Sequence, residues 1–272
     1  MTYFYLNGKI LPEKKVKISP FDAGFLRAYG IFEVVRTYKS KPIELDKHLD
    51  RLLANAKILK INHSYNKAKI KKAVSEIISK NKFKESELRI ILTGGVSKNP
   101  FFFSGNTLLI VATKFLPYPK KYYQNGACLG LKEYQRELPE VKTLNYSLAV
   151  SFLKEFKNCL EVLYYKNNYL LETTFANFFL FKDDKLITPK SGILKGITRE
   201  TVLNLARHSG FKVQEREVVL RELKEADEAF ITSTIKGIMP IVKVSQFKIG
   251  NGRVGKKTKI LMKKFEEYLK TF

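Results

Sequence analysis

At 272 residues the chain is too long for one minimal core and suits two domains, and its 44% hydrophobic residues suit a globular protein. No tract approaches the roughly 20 consecutive apolar residues of a spanning helix, and Met1-Thr2-Tyr3-Phe4-Tyr5 lacks a basic segment followed by an apolar one, so a cytoplasmic protein away from membranes is expected. The formal charge of +24 invites nucleic acid, but lysines are scattered from Lys9 to Lys270 and outnumber the arginines that fork better onto phosphates and base edges. A basic nucleic-acid-binding module is therefore the lesser reading, and no specific nucleic-acid partner is expected.

Asn7-Gly8 between Tyr3–Leu6 and Lys9–Ile10 is a strong hairpin signal, so two antiparallel strands open the chain. Ile31 to Tyr38 reads as a strand. From Glu44 to Ile61, Leu45, Leu49, Leu52, Leu53 and Ala56 recur at helical spacing, and Ile70, Val74, Ile77 and Ile78 mark a second helix. Leu88–Thr93 and Thr107–Thr113 complete a sheet under these helices, joined by a loop with Gly94-Gly95 and Asn99-Pro100-Phe101-Phe102-Phe103. The three phenylalanines read as packing against another chain ahead of lining a substrate entrance. Two prolines in Leu116-Pro117-Tyr118-Pro119 end the first domain, giving expected bounds of 1–116, a linker at 117–121 and a second domain at 122–272.

The second half alternates short strands and helices. Leu144 to Phe156 reads as a helix, followed by strands at Val162–Tyr165, Tyr169–Leu171 and Phe178–Phe181. A helix from Thr198 to His208 stops before Gly210, Phe230–Thr232 and Ile238–Val244 are strands, and Lys256–Leu269 closes the chain as a helix. Cys128 and Cys159 have no CxxC spacing and read as buried thiols. His48, His63 and His208 form no ligand grouping, so no metal site is expected, and His48 reads as a packed or solvated histidine.

Four features carry chemistry. Lys142 lies among Leu138, Val141 and Leu144, as an amine that must be shielded to lose its proton and form an imine would, although spacing alone does not select one lysine in a lysine-rich chain. Glu172 ends the apolar run Tyr169-Leu170-Leu171, so its carboxylate should be partly buried and in need of a cationic partner. Gly196-Ile197-Thr198 opens a helix whose first amides suit an anion, or is an ordinary N-cap. Ser233-Thr234 after a strand could form an opposite wall, and Arg51 could supply charge.

Taken in order, Asp22-Ala23-Gly24, Tyr29-Gly30-Ile31-Phe32-Glu33, His48-Leu49-Asp50-Arg51-Leu52, the run Gln135 to Tyr146 around Lys142, Glu172 with Asn177-Phe178, Leu194 to Arg199 and Thr232-Ser233-Thr234 carry a resemblance along almost the whole chain. The chain resembles the class IV, fold type IV pyridoxal phosphate aminotransferases, which include D-amino-acid and branched-chain transaminases and aminodeoxychorismate lyase. The resemblance implies an α+β protein with a small two-layer α/β N-terminal domain and a larger pseudo-barrel α/β C-terminal domain that enclose pyridoxal 5'-phosphate, and a homodimer. It implies that Lys142 is the Schiff-base lysine and proton carrier, and that Glu172 partners the pyridine nitrogen. Arg51, Gly196, Ile197, Thr198, Ser233 and Thr234 would hold the phosphate, with Tyr146 on the phenolate oxygen and Asn177 also beside the cofactor.

The substrates implied are amino acids and 2-oxo acids such as 2-oxoglutarate, exchanged in a ping-pong reaction. Arg27 and Arg89 are the candidate carboxylate anchors, with Phe32 and Phe175 lining the substrate. The Arg-x-His loop of the best-known D-amino-acid transaminases is replaced by Val96-Ser97-Lys98-Asn99-Pro100-Phe101, and Phe175 stands where a further arginine is expected. The motifs around Arg27, Arg89 and Lys142 look like a divergent D-amino-acid transaminase branch, which ranks D-amino acids such as D-alanine or D-glutamate ahead of branched-chain L-amino acids, with the lyase reaction third.

Overall fold

The computed structural model describes residues 1–99 and 101–272, so Pro100 of the loop noted above lies outside the described residues. The chain divides into two compact units, one comprising Met1–Leu116, Val141–Asn145 and Phe272, the other Pro117–Glu140 and Tyr146–Thr271. The segment around Lys142 thus belongs to the first unit, whereas the sequence bounds put it in the second. Part of the expected linker is helical, because Lys120–Asn125 (α4) begins there.

In the first unit, β1 (Tyr3–Leu6) and β2 (Lys9–Pro12) form the expected hairpin, with Asn7 and Gly8 both at positive φ. After the short α1 (Ala23–Arg27) come β3 (Gly30–Tyr38), β4 (Lys41–Pro42), α2 (Leu45–Ile58), α3 (Lys67–Asn81), β5 (Ser86–Thr93) and β6 (Thr107–Lys114), giving the sheet order β2-β1-β6-β5-β3-β4. Strand alternation sends Ile31 and Val35, Leu88, Ile90 and Leu92, and Leu108 and Ile110 into one layer, where they pack with Leu49, Leu52, Ile70, Val74 and Ile77 of the helices. Asn66 caps α3 by accepting the Lys69 N–H at 2.9 Å.

The second unit adds β7 (Ala127–Glu133), α5 (Ser147–Glu155), β8 (Glu161–Lys166), β9 (Tyr169–Thr173), β10 (Asn177–Lys182), β11 (Lys185–Pro189), α6 (Ile197–His208), β12 (Lys212–Arg216), α7 (Glu222–Glu225), β13 (Glu228–Ser233), β14 (Gly237–Val244), β15 (Phe247–Lys248) and α8 (Lys256–Leu269). The sheet runs β12-β11-β10-β13-β14-β7-β8-β9, with β15 on β14, and it curls so that β9 returns beside β10. Asn177 to Phe181 of β10 are all buried, because both faces of that strand are covered. Phe178 and Leu180 join the apolar cluster of Ala229, Ile231, Met239 and Ile241, while Phe179 stacks on Phe230 at 4.8 Å on the other face.

The helix expected over 144–156 is shorter. It begins at Ser147 because the Leu144 N–H is taken by the Gly30 carbonyl at 3.0 Å, which, with the bridge of Thr143 to Ile31, ties this stretch to β3. No helix among the described residues is long and apolar enough to cross a membrane.

Candidate functional site

Lys142 sits on a short extended segment that pairs with β3. The Phe32 N–H donates to the Lys142 carbonyl at 3.1 Å, and Ile31 bridges Thr143 in antiparallel fashion. This pairing holds the Lys142 Nζ 4.6 Å from the centre of the Phe32 ring, in cation–π range. Gly30 makes the approach possible. A Cβ there would lie 2.6 Å from Leu144 Cδ1 and 3.0 Å from the Leu92 carbonyl oxygen, so a side chain at residue 30 would push the lysine segment away.

Next to Phe32, strand alternation turns Glu33 toward the helical layer, where it is fully buried. Helix α2 answers with two residues one turn apart. Arg51 donates Nε to Glu33 Oε1 at 2.7 Å and Nη2 to Oε2 at 2.8 Å, and His48 Nδ1–H donates to Oε2 at 2.7 Å. Burial alone would push the Glu33 carboxyl up, but the charge and hydrogen bonds of Arg51 and the bond from His48 outweigh it and hold it down at about 2. Burial also lowers the His48 imidazole, against the pull of Glu33, so it stays neutral. The sequence reading of a packed histidine describes this residue, and its carboxylate partner is what periodicity did not show.

A carboxyl with a folded value below its unfolded one stabilises the fold above the unfolded value, and that stability disappears as pH falls through the folded value. Glu33 therefore contributes about 3 kcal/mol at neutral pH, lost between about pH 4.5 and pH 2. Glu33→Gln is expected to lower the melting temperature at pH 7, since Arg51 loses a buried carboxylate partner, and to remove that part of the acid dependence. Thermal melts from pH 7 to pH 2 check this. An unchanged acid limb in the variant would refute the role of Glu33.

In the second unit, Glu172 is buried near the end of β9, one residue before its last. Its Oε1 accepts from Arg136 Nε at 3.0 Å and Nη2 at 2.9 Å, and its Oε2 accepts the Leu194 N–H at 3.0 Å. Arg136 is the cationic partner that a buried glutamate needs. Burial would lower its guanidinium, yet Glu172, and next Tyr146, raise it, so the guanidinium stays charged. Leu194 leads into Lys195-Gly196 and then into α6. Asn177 fixes this turn by donating Nδ2 to the Leu194 carbonyl at 2.7 Å, and any Cβ on Gly196 would lie 2.2 Å from Asn177 Oδ1. Gly196 caps α6 without a side-chain hydrogen bond, so no side chain of the cap occupies the amides of the first turn, where Ile197 and Thr198 are buried.

Asn177 pairs with Thr232 across β10 and β13, which brings Ser233 at the end of β13 toward the start of α6. The Thr232 hydroxyl is buried with no protein partner. The Ser233 Oγ accepts the Lys236 N–H at 3.2 Å, shaping the turn that carries Thr234. Tyr146, at the start of α5, stacks on Phe175 at 5.5 Å and 19°. Phe175 is held from behind: Glu161 Oε2 accepts its N–H at 2.9 Å, while Glu161 Oε1 binds Lys236 Nζ at 2.7 Å in a buried ion pair. Glu161 and Lys236 thus tie the Phe175 turn to the Thr234 turn. Neither residue, nor Arg136, stands out in sequence, because their partners are distant along the chain.

The arginines expected to anchor a carboxylate are both exposed. Arg89 pairs with Glu87 at 2.8 Å, and Arg27 donates to the Leu26 carbonyl at 3.0 Å. Among the described residues no group of three or more His, Cys, Asp and Glu side chains could hold a metal ion.

The donors of the second unit fit a phosphorylated aromatic cofactor: uncapped helix amides beside a glycine that tolerates no side chain, an unpartnered buried hydroxyl on the adjacent strand, and an ionised carboxylate. Comparison with known proteins agrees. Residues 30–244 match the family profile of amino-transferase class IV. The chain is 33% identical to a putative branched-chain-amino-acid aminotransferase of Methanocaldococcus jannaschii over 97% of this chain and 95% of that protein. It is 28% identical to a D-alanine aminotransferase of Bacillus licheniformis over 93% and 92% of the two chains. The crystal structure of the branched-chain amino acid aminotransferase of Escherichia coli superposes with a TM-score of 0.92 at 25% identity, covering 98% of this chain and 94% of that one.

Proposed function

Since the chain belongs to the class IV aminotransferases, whose cofactor is pyridoxal phosphate, we propose that it moves the amino group of an apolar amino acid, with branched-chain L-amino acids first, onto 2-oxoglutarate. The bound cofactor supplies an aldehyde that captures the amino group and a ring that takes up the electron pair of the α-carbon. Lys142 holds that aldehyde in the resting enzyme and carries the proton between the substrate α-carbon and the cofactor C4′. Glu172, kept ionised by Arg136, keeps the ring nitrogen protonated. Gly196, Ile197, Thr198, Ser233 and Thr234 hold the phosphate, Tyr146 hydrogen-bonds the phenolate oxygen, and Asn177 positions the phosphate turn.

The observation that carries the substrate reading is Phe175, 43% exposed and stacked on Tyr146 where a charged anchor is otherwise expected. Phe175 offers an apolar ring to the substrate side chain. The exposed placement of Arg27 and Arg89 gives little support to the arginine-based carboxylate trap on which a D-amino-acid preference rests. D-alanine remains the second reading, supported by the motifs around these arginines and by the Bacillus relative. The exposed Phe21, Phe25, Phe101 and Phe102 of the first unit support a homodimer that covers them.

A half-reaction panel tests the substrate. The cofactor-loaded enzyme is mixed with L-leucine, D- and L-alanine, or D- and L-glutamate, and loss of the absorbance of the aldehyde form is followed. L-leucine is expected to react at least about tenfold faster than D-alanine. Faster reaction with D-alanine would reverse the assignment, and reaction with none of the five would reject amino-group exchange.

A further inference from the structure

Cys128 and Cys159 are 31 positions apart, yet their sulfurs lie 2.7 Å from each other. That is about 0.7 Å longer than the roughly 2.05 Å of a disulfide bond. Both backbones are held in place. Cys128 is the second residue of β7, and its carbonyl accepts the Leu160 N–H at 2.8 Å, while the Cys159 N–H donates to the Phe156 carbonyl at 2.9 Å. The parallel pairing of β7 with β8, Leu129 opposite Glu161, fixes the two positions against each other. Both cysteines are partly accessible, so a small disulfide can reach them.

We propose that Cys128 and Cys159 form a redox-responsive pair that closes to an intramolecular disulfide by exchange with a small-molecule disulfide such as oxidised glutathione. In the first step the Cys128 thiolate attacks one glutathione sulfur, breaking the glutathione S–S bond, forming a mixed disulfide and releasing one glutathione thiolate. The Cys159 thiol then gives up its proton to solvent, and its sulfur attacks Cys128 Sγ and expels the second glutathione. Two electrons pass from the protein to glutathione disulfide, which leaves as two thiols. Burial, together with the hydrogen bond to Cys128, holds the Cys159 thiol up at about 12, which makes it the resolving sulfur and the second step the slower one. The closed ring spans residues 128–159 and encloses Arg136, Lys142 and Tyr146. Cross-linking a loop of this length removes freedom from the unfolded chain and is expected to raise the melting temperature by about 5 °C or more.

The reduced full-length protein is equilibrated with excess oxidised glutathione, then denatured and alkylated, and its intact mass and tryptic peptides are measured alongside thermal melts. The wild type is expected to lose two hydrogens, resist alkylation at both cysteines, yield a Cys128–Cys159 cross-linked peptide and melt higher, all reversed by dithiothreitol. Cys159→Ser is expected to carry one glutathione, Cys128→Ser to acquire one far more slowly, and neither to show such a rise in melting temperature. Two alkylated thiols, two glutathione adducts or a cross-link between chains in the wild type would overturn the proposal. If either variant fails to fold, the wild-type mass and peptide map still decide the matter.

Discussion

Lys142→Ala is expected to abolish multiple turnover, lowering kcat by about 10⁴-fold or more while the protein stays folded. The reason is chemical: no other group assigned here supplies both a tether for the aldehyde and a carrier for the α-proton. Steady-state assays with L-leucine and 2-oxoglutarate measure the loss. Borohydride treatment of the wild type should leave a pyridoxyl label on the peptide containing Lys142, and the variant should give none. Added methylamine should restore part of the proton transfer in the variant, an effect that a purely structural lysine would not show. Undiminished turnover in the variant would remove Lys142 from the reaction.

The second large effect is expected at Glu172. Glu172→Gln keeps an oxygen that can accept the Leu194 N–H, and so keeps the turn into α6, but it removes the charge that holds the ring nitrogen protonated. The half-reaction rate is expected to fall about 10²- to 10³-fold, with a much smaller change in cofactor affinity. Arg136 is then left buried beside a neutral amide, so the variant should also be less stable. Glu172→Asp should recover part of the rate, since it restores charge at a shorter reach. If the Gln variant lost cofactor in proportion to rate, Glu172 would be a binding residue only and its role at the ring nitrogen would be refuted.

These two expectations lean on different kinds of legibility. Glu172 announces itself locally: it terminates an apolar run ahead of Thr173-Thr174, and a carboxylate there must find a cation. The identity of that cation, Arg136, does not follow from local rules, because β9 and the loop after β7 meet only through the pairing of β7 with β8 and of β8 with β9. Lys142 shows the reverse problem. Its apolar neighbours made Leu144 look like the start of a helix, yet the Gly30 carbonyl claims the Leu144 N–H and the helix waits until Ser147. A tertiary hydrogen bond overrode a local preference of a few tenths of a kcal/mol per residue.

Glu33 and the cysteines extend the same point. Counting by two along β3 puts Glu33 on the buried face with Ile31 and Val35, and that much is arithmetic. That Arg51 and His48 answer it depends on how α2 lies over the strand. Cys128 and Cys159 lack any motif spacing, and they adjoin because the parallel pairing of β7 with β8, Leu129 opposite Glu161, brings the residues just before β8 back beside the start of β7.

By itself, then, the sequence determined the opening hairpin and the existence of the helices that the structure bounds at 45–58, 67–81, 197–208 and 256–269. These depend on periodicity, capping and backbone freedom, which act within a few residues. Only the tertiary structure decided the partners: Arg136 for Glu172, Lys236 for Glu161, Arg51 and His48 for Glu33, and one cysteine for the other. A buried charge must be paired, but which group pairs it is set by strand order and helix placement, and those are chosen by the summed burial of the whole core and by no single local rule.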